Sequence, residues 1–481
     1  MLASCIPSFP QGAARAARRS VPNSFGAPAS SGAPAGSATS ATTDWHAFFG
    51  DSHLVGLIDV ALHNNQELNI TIQEMVIASS EVMARRGEYL PTLGFQLGVG
   101  LDHAGRYTSQ GQADEATGVP AHLPNFMLGF AAAWEVDIWG RLRNSAEAAR
   151  FRFLASQEAR NFVITRLVAE IATRYYELLS LDRQLLILQN SIELQQQALE
   201  MVRLQQQAAR VTMLAVQRFE AQLQGFQARQ FEIQQRIVEN ENQINFLLGR
   251  FPQHIDRTTA DILSITPPTV YAGAPAQLLE NRPDVRRAEN ALRAAALDVS
   301  AARAAFYPAL HLDAMLGVQS YDITRLVTTP DSILYNIFAG VMAPLLNRSG
   351  ITAQYFAANS RQWQAVVDFE RTVLTAFVDV NTGLNLLRNL AQAYEFKTQQ
   401  VQHLAQAVET STVLFTAARA EYLEVLTARR EYLEAQMELI ETKQRMLTAA
   451  VALYQALGGG WREPARNTSS GAPATNSGAP R

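Results

Sequence analysis

The chain contains one structural unit twice, and this duplication limits the folds that it can adopt. Two segments of the 481-residue sequence align without a gap up to a proline in each copy, Pro91 in the first and Pro308 in the second. After an insertion in the first copy, a constant register resumes and continues almost to the end. Because a repeated unit folds each time into the same architecture, the sequence predicts two equivalent halves, roughly 64–250 and 281–458.

Each half also contains a long stretch without proline, after Pro124 in the first copy and after Pro344 in the second. Proline interrupts helix interiors, and these stretches are rich in Ala, Leu, Gln, Glu and Arg, so both are expected to be helical. A helix of about 70 residues extends roughly 105 Å. This length predicts long helical hairpins, at about 139–248 and 346–457, rather than a compact bundle.

A stripe of apolar residues recurs at every seventh position along the outgoing helix of each predicted hairpin. A strict seven-residue repeat is typical of left-handed coiled-coil packing. An ordinary amphipathic core helix is the alternative, but the repetition of the stripe in both copies favours the coiled coil. The stripe consists of Ile164, Ile171, Leu178, Leu185, Ile192 and Leu199 in the first copy, and of Val373, Val380, Leu387, Tyr394, Val401 and Val408 in the second.

The hydrophobic period changes to two between the first helix and the long hairpin of each half. Apolar residues there alternate with Gly, Gln, Asn, His, Asp and Glu, which predicts strands with one apolar and one polar face. Their length matches tilted membrane strands, and the polar face suits a water-filled lumen. A half-buried sheet of a soluble sandwich is the alternative. The strands are expected at about 92–104, 124–138, 309–319 and 332–345.

The number of strands predicts an oligomer. Four strands cannot close a barrel around a lumen, and lipid does not tolerate an open sheet edge. Several chains must then share one barrel, and three chains would supply twelve strands. Aromatic residues at the helix side of the strands, Tyr89, Trp139 and Phe306, are expected at the membrane interface. The predicted fold class is therefore mainly α with a membrane β-barrel.

Composition argues against several other functions. The net charge of −4 offers no basic face for nucleic acid. The single cysteine, Cys5, rules out an internal disulfide and a cysteine-built metal site. No apolar run is long enough for a transmembrane helix, and no metal motif, phosphate loop or nucleophile elbow is present. We therefore predict no enzyme, no cofactor and no metal site.

Five segments resemble the motifs of a known family: 45–51 (WHAFFGD), 134–143 (WEVDIWGRLR), 279–289 (LENRPDVRRAE), 302–308 (ARAAFYP) and 457–461 (LGGGW). Together they are similar to the TolC-like outer-membrane factors of tripartite efflux systems, in their lipoprotein (NodT-type) branch. The resemblance covers about 44–461, which is nearly the whole predicted folded chain.

The resemblance implies a homotrimer with a twelve-stranded outer-membrane barrel and a long α-helical barrel in the periplasm of a Gram-negative bacterium. It implies two partners, a periplasmic adaptor and an inner-membrane pump, usually of the proton-driven resistance-nodulation-division class. The chain would then be a passive exit duct. The alternative is a soluble or surface coiled-coil scaffold, which would dissolve without detergent.

Two segments depart from the family pattern. The family usually has a basic residue in its L-F-x-x-G-R segment, and this chain lacks it in the corresponding residues 345–352 (LLNRSGIT). Near the tip of the second hairpin, Thr427 stands where many relatives have an aspartate. The contacts that those two family residues make are therefore not expected in the same form here.

The hairpin tips are the candidate gate, because the family resemblance implies a lumen that closes at its periplasmic end. Leu423 is the candidate for an apolar ring, and Glu424 is the nearest acid. Arg210 and Thr212, in the turn of the first hairpin, are the other candidate aperture residues. Solvated turn charges with no gating role are the alternative.

Residues 2–5 (LASC) resemble a lipobox, so Cys5 is the expected site of acylation. Four residues are too few for a signal peptide, which places the expected true start upstream. The predicted organisation is a flexible tether at 1–43, a first repeat at 44–250, a connecting segment at 251–280, a second repeat at 281–461 and a disordered tail at 462–481.

Overall fold

The computed structural model describes residues 6–10, 12, 14–25, 39–346, 348–417 and 419–462. These residues are mainly helical with one four-stranded antiparallel sheet, as predicted. The helices are α1 (Trp45–Phe49), α2 (Ser52–Asn64), α3 (Gln66–Gly87), α4 (Ser109–Thr117), α5 (Arg141–Gln207), α6 (Met213–Leu247), α7 (Leu278–Asn281), α8 (Pro283–Ala304), α9 (Ser349–Thr416) and α10 (Tyr422–Ala456). The strands are β1 (Thr92–Asp102), β2 (Leu123–Val136), β3 (Ala309–Ser320) and β4 (Ile333–Met342).

Two compact units divide the chain, and each draws on both repeats rather than on one. We call them the strand unit and the helical unit. The strand unit comprises the described residues within 1–18, 73–157 and 287–370, and the helical unit comprises the described residues within 19–72, 158–286 and 371–481. Among the described residues, no helix is both long enough and apolar enough to cross a membrane.

The sheet of the strand unit has the order β1-β2-β3-β4, and each strand is antiparallel to its neighbour. The connection between β1 and β2, which the sequence suggests is a polar loop, contains helix α4. Thr108 caps the start of α4 by accepting a hydrogen bond from the Gly111 N–H, and Gly118 ends it in the left-handed conformation at φ 71°. These caps form a helix where polar composition alone indicated a loop, and α4 lies within the region of the first-copy insertion.

The N-terminal segment, predicted to be a flexible tether, makes specific contacts in its described part. Glu370 on α9 forms an ion pair with Arg15 and accepts a hydrogen bond from the Arg18 N–H at 2.8 Å. Phe9 packs edge-on against Phe356, with ring centres 5.5 Å apart. A charged and an aromatic contact on the same helix therefore dock this segment along α9.

We predict that Glu370→Gln releases the docked segment. Hydrogen bonds from Arg15 and from the Arg18 N–H lower the pKa of Glu370 to about 2, against an ordinary value of 4.5. The contribution of the ionised carboxylate to docking is therefore fully present above about pH 4.5 and is lost as the pH falls through about 2. At neutral pH, trypsin should cleave after Arg15 and Arg18 several-fold faster in this variant than in the unchanged chain.

The matched control is Glu395→Gln, which removes an exposed carboxylate elsewhere on α9. Its cleavage rate should equal that of the unchanged chain. If both variants are cleaved at the unchanged rate, the Glu370 contact does not hold the segment.

The core of the helical unit contains much of the seven-residue stripe. In the first copy Ile171 and Leu178 are fully buried, and Ile164 and Ile192 are nearly so. In the second copy the stripe is buried at its start and only half-buried from Leu387 onward. The two copies thus share the seven-residue pattern, but more of the stripe is buried within the chain in the first copy than in the second.

The first family motif belongs to this core. Trp45, Phe48 and the neighbouring α2 residues are buried, and the Phe48 ring stacks on Tyr454 of α10 at 4.0 Å between centres. Asp51 caps α2 and also accepts a hydrogen bond from the Tyr175 hydroxyl at 2.8 Å. The motif therefore fastens the entry helices α1 and α2 to α5 and α10.

The third and fifth motifs meet at the end of α10. The buried guanidinium of Arg282 is bonded to Asp284 at 2.7 Å, to Asp379 at 3.3 Å and to the Ala456 carbonyl oxygen at 2.9 Å. Gly458 follows α10 at φ 90°, and a Cβ atom there would lie 2.5 Å from the Asn281 carbonyl oxygen. Glycine is required at 458 by both its backbone conformation and this close approach.

We predict that Gly458→Ala destabilises the folded chain by about 1–3 kcal/mol, the range for strained backbone positions. Gly225→Ala is the control, because Gly225 lies inside α6 and a Cβ atom there would meet nothing within 4 Å. Alanine there should be neutral or stabilise by up to about 1 kcal/mol, since alanine favours helix. Thermal unfolding in detergent measures both changes, and an equal midpoint for the two variants would contradict this account of Gly458.

Candidate functional site

The sheet has one face that is apolar across all four strands. The register aligns Leu97 with Leu128, Leu128 with Val318, and Val318 with Ile333. The outer strands expose this face strongly: Leu97 is 68% exposed and Ile337 is 84% exposed. An exposed apolar surface of this extent marks a membrane or protein contact. The face consists of Leu93, Phe95, Leu97, Val99, Leu101, Phe126, Leu128, Phe130, Ala132, Trp134, Leu310, Leu312, Ala314, Leu316, Val318, Ile333, Tyr335, Ile337, Ala339 and Val341.

The opposite face carries most of the polar side chains of the sheet. Glu135 lies opposite His311, and Asp313 lies opposite Phe338. Near the loop end, the Gln319 amide donates a hydrogen bond to the Asn125 side chain at 2.8 Å. This face suits contact with water, as the alternation in the sequence predicts.

The two outer strands leave the sheet open at both edges. Within the described residues, β1 pairs only with β2, and β4 pairs only with β3. Each outer strand therefore has one row of backbone N–H and C=O groups without a strand partner in its own chain. The sheet is built to continue into strands of other chains.

The motif at 134–143 forms the junction between β2 and α5. Asp137 accepts hydrogen bonds from the N–H groups of Leu142 and Arg143, at 3.1 and 2.8 Å, which satisfies free donors in the first turn of the helix. Glu135 pairs with Arg141 at 2.7 Å. The acids of this motif thus hold the first turn of α5 beside the end of β2.

Two of the three predicted interface aromatics lie in accessible positions. Trp139 is 48% exposed, stacks on Tyr307 at 4.8 Å and donates a hydrogen bond to the Pro308 carbonyl oxygen at 2.8 Å. Tyr89 is half-buried, and its carbonyl oxygen accepts a hydrogen bond from the Trp134 indole at 3.0 Å.

Phe306, the third predicted interface aromatic, is only 6% exposed in its own chain. It packs edge-on against Tyr355 at 5.8 Å, and the Arg348 guanidinium lies 5.1 Å from its ring centre. Phe306 therefore packs against residues of its own chain, and its place at the membrane interface stays a prediction. Its sequence neighbour Tyr307, stacked on Trp139, is the half-buried aromatic of this segment.

Arg348 provides a basic side chain within 345–352, the segment that lacks the basic residue of the family pattern. Although the family's basic position is lost, Arg348 supplies a guanidinium nearby in sequence. It donates a hydrogen bond to the Phe306 carbonyl oxygen at 3.1 Å in addition to its contact with the ring. A basic residue thus joins the segment before β3 to the start of α9 in this chain.

The two hairpin turns share one equivalent backbone hydrogen bond. The Arg210 N–H donates to the Gln205 carbonyl oxygen at 2.9 Å, and the equivalent Arg419 N–H donates to Leu414 at 2.8 Å. Both bonds close the end of a helix in the manner of a Schellman motif. In the first turn Ala209 has a positive φ of 56°. The duplication therefore extends to the tips.

The predicted aperture residues lie at the starts of the return helices or in the turns before them. Thr212 is the residue before α6, and its side chain makes no capping bond. Leu423 is 39% exposed and Glu424 is exposed, both in the first turn of α10. All four predicted aperture residues are exposed and lie near the tips.

Arg429 is a partly buried charged residue that was not predicted from the sequence. It lies on α10, donates a hydrogen bond to the Leu194 carbonyl oxygen of α5 at 3.2 Å, and has its pKa lowered by burial. The aligned residue in the first copy is Glu220, which pairs with Arg203. The two copies therefore carry opposite charges at equivalent positions. An alignment of the copies would have drawn attention to Arg429 through this difference.

Cys5, the predicted site of acylation, lies outside the described residues. In the part of the chain that is described, no group of three or more His, Cys, Asp or Glu side chains forms a metal-binding cluster.

Comparison with known proteins defines the class. The sequence matches the family model described as "Outer membrane efflux protein" over residues 57–250 and 274–459. The chain belongs to this family and is an outer-membrane efflux protein, which confirms the resemblance seen in the sequence motifs. The gap in the match falls within the connecting segment between the two repeats.

Individual proteins extend this likeness over most of the chain. Cation efflux system protein CusC of Escherichia coli O6:H1 is 28% identical over 419 residues, 87% of this chain and 88% of CusC. Solvent efflux pump outer membrane protein SrpC of Pseudomonas putida is 29% identical over 416 residues, 86% of this chain and 87% of SrpC. A crystal structure of CusC matches with a TM-score of 0.81 and 26% identity, over 95% of this chain and 100% of that chain.

Proposed function

We propose that three copies of this chain form the outer-membrane exit duct of a tripartite efflux system. The four strands of each copy make one third of a twelve-stranded barrel, and the long hairpins of the three copies form a helical barrel in the periplasm. Substrates move through the duct passively. The observation that carries this proposal is the sheet with one apolar face, one polar face and two open edges.

The membrane requires the open edges of the sheet to be paired. In the hydrocarbon region, the backbone groups along β1 and β4 must find hydrogen-bond partners, because each unsatisfied group costs several kcal/mol. Pairing β4 of one copy with β1 of the next satisfies both rows. Closure also directs the apolar face to lipid and the polar face to water, and a twelve-stranded barrel is wide enough to enclose a lumen.

Two adjacent residues in the middle of β3 test which face meets lipid. Met315 lies on the polar face and Leu316 on the apolar face. An arginine at a lipid-facing position near the bilayer centre costs about 2–4 kcal/mol per chain, whereas a lumen position tolerates charge. We predict that Leu316→Arg strongly reduces the amount of folded protein in the outer membrane. Met315→Arg should fold normally and shift the channel toward anion selectivity in planar bilayers.

Each variant is the control for the other, because the two substitutions introduce the same charge one residue apart. Normal yield for Leu316→Arg together with loss of folded protein for Met315→Arg would reverse the assigned faces. If both variants fold normally and neither changes ion selectivity, the polar face of the sheet does not line a water-filled lumen.

The proposed partners are a periplasmic adaptor and an inner-membrane pump of the resistance-nodulation-division class. CusC is named as a cation efflux system protein, and SrpC is named as the outer membrane protein of a solvent efflux pump. This difference supports a duct that conducts chemically different substrates, with selection made by the pump. We also propose that an acyl chain on Cys5 anchors the chain to the outer membrane, which mass spectrometry of the native Cys5 peptide would detect.

We further propose that the hairpin tips form the gate, with Leu423 and Glu424 at the constriction and Arg210 and Thr212 beside it. Closure by a few contacts of small free energy would allow a partner to shift the population toward the open state. The exposure of Leu423 and Glu424 at the start of α10 supports this placement, because both side chains are available to neighbouring copies.

We predict that Leu423→Ser combined with Glu424→Ala raises the closed-state conductance of the purified protein in planar bilayers. The substitutions remove an apolar contact and an acid from the proposed constriction. Leu186→Ser is the control, because Leu186 is an exposed leucine of α5 away from the turn. An unchanged conductance in the double variant would place the constriction at other residues.

A further inference from the structure

We propose that His103 and His122 form a binding site for divalent transition-metal ions at the two stems of the loop between β1 and β2. The two ring centres lie 4.8 Å apart, and the ring planes are tilted by 33°. The inference rests on the geometry of this loop and does not depend on the proposed duct.

The β1–β2 ladder brings the two histidines together. Its last pair is Asp102 with Leu123, so His103 and His122 occupy the next cross-strand position. Side chains directly opposite each other on antiparallel strands are close enough to interact. Metal–nitrogen bonds are about 2.0–2.1 Å long, so two nitrogens on one ion lie within about 4 Å of each other. Ring centres 4.8 Å apart place the two imidazoles close enough for one ion to bind both.

The hydrogen bonding of His103 leaves its Nε2 nitrogen available to bind an ion. Its Nδ1 lies within hydrogen-bond distance of the Ala121 carbonyl oxygen, which can only accept. Nδ1 therefore carries the proton, and Nε2 keeps its lone pair for an ion. A ring nitrogen that donates to a backbone carbonyl is the usual support of a metal-binding histidine, because it fixes both tautomer and orientation.

The chemistry of the pair selects the ion. Imidazole suits Cu²⁺, Ni²⁺ and Zn²⁺, whereas Mg²⁺ and Ca²⁺ prefer oxygen ligands. Both histidines are exposed, so water can fill the remaining coordination positions and ions can exchange freely. With two protein ligands, binding should follow the general order in which Cu²⁺ exceeds Ni²⁺ and Zn²⁺.

An ion bound to both rings would cross-link the two ends of the loop. The loop contains α4 and the ion pair between Arg106 and Glu115. Joining its two stems restricts the conformations that residues 104–121 can reach. The ion should therefore protect the backbone at Arg106 from protease.

The first experiment is calorimetric titration of the untagged, chelator-treated full chain in detergent with Cu²⁺, Ni²⁺, Zn²⁺ and Mg²⁺. We expect saturable binding of the three transition-metal ions and none of Mg²⁺. His103→Ala and His122→Ala should each weaken binding roughly tenfold or more, as loss of a metal-site residue does. His403→Ala, which removes an exposed histidine of α9 in the helical unit, should leave binding unchanged.

The second experiment measures tryptic cleavage after Arg106 with and without Ni²⁺. The ion should slow cleavage several-fold in the unchanged chain and in His403→Ala, and a chelator should reverse the effect. Neither loop variant should be protected. Acidification should remove the protection, because protons compete with the ion for the imidazole nitrogen.

The proposal is overturned if the unchanged chain shows no saturable transition-metal binding. It is equally overturned if both loop variants bind as tightly as the unchanged chain, since the ion would then be held elsewhere. The cleavage test in the unchanged chain does not depend on whether a variant folds. If saturating Ni²⁺ does not slow cleavage after Arg106 in that chain, the ion does not cross-link the loop.

Discussion

The hydrogen-bonding groups on the outer sides of β1 and β4 are the constraint on which the rest of the structure depends. In the described sheet each of these strands has one neighbour, while the face shared by all four strands is apolar and exposed. Water could satisfy the open edges but would penalise the apolar face, and lipid would do the reverse. Only pairing with further strands in a membrane satisfies both. An assembly of several chains is therefore a consequence of the sheet itself.

The second requirement is a stable junction between each strand pair and the very long helix that follows it. In the first copy Asp137 caps the start of α5, and Glu135 holds Arg141 beside it. The second copy lacks these acids and uses Arg348 against Phe306 at the start of α9. The same junction is thus stabilised by different interactions in the two copies, which shows how a duplicated unit diverges without losing its geometry.

Periodicity made much of this architecture predictable from the sequence. The alternation over the strands assigned both faces, and the proline-free stretches indicated α5 and α9, because both patterns follow directly from backbone geometry. Contacts between distant segments were not predictable in this way. The burial of Phe306, the docking of Arg15 on Glu370 and the position of Arg429 depend on which residues meet in three dimensions, and no local spacing encodes those meetings.

The most direct measurement is disulfide cross-linking between β1 and β4 of different copies. In a Cys5→Ser background, one cysteine replaces Gln96 on β1, and a second replaces Leu334, Asn336 or Phe338 on the same face of β4. The account predicts that oxidation in the membrane joins chains for at least one of these pairs, with three chains as the largest product. Only single chains for all three pairs, or products longer than three chains, would contradict the shared barrel.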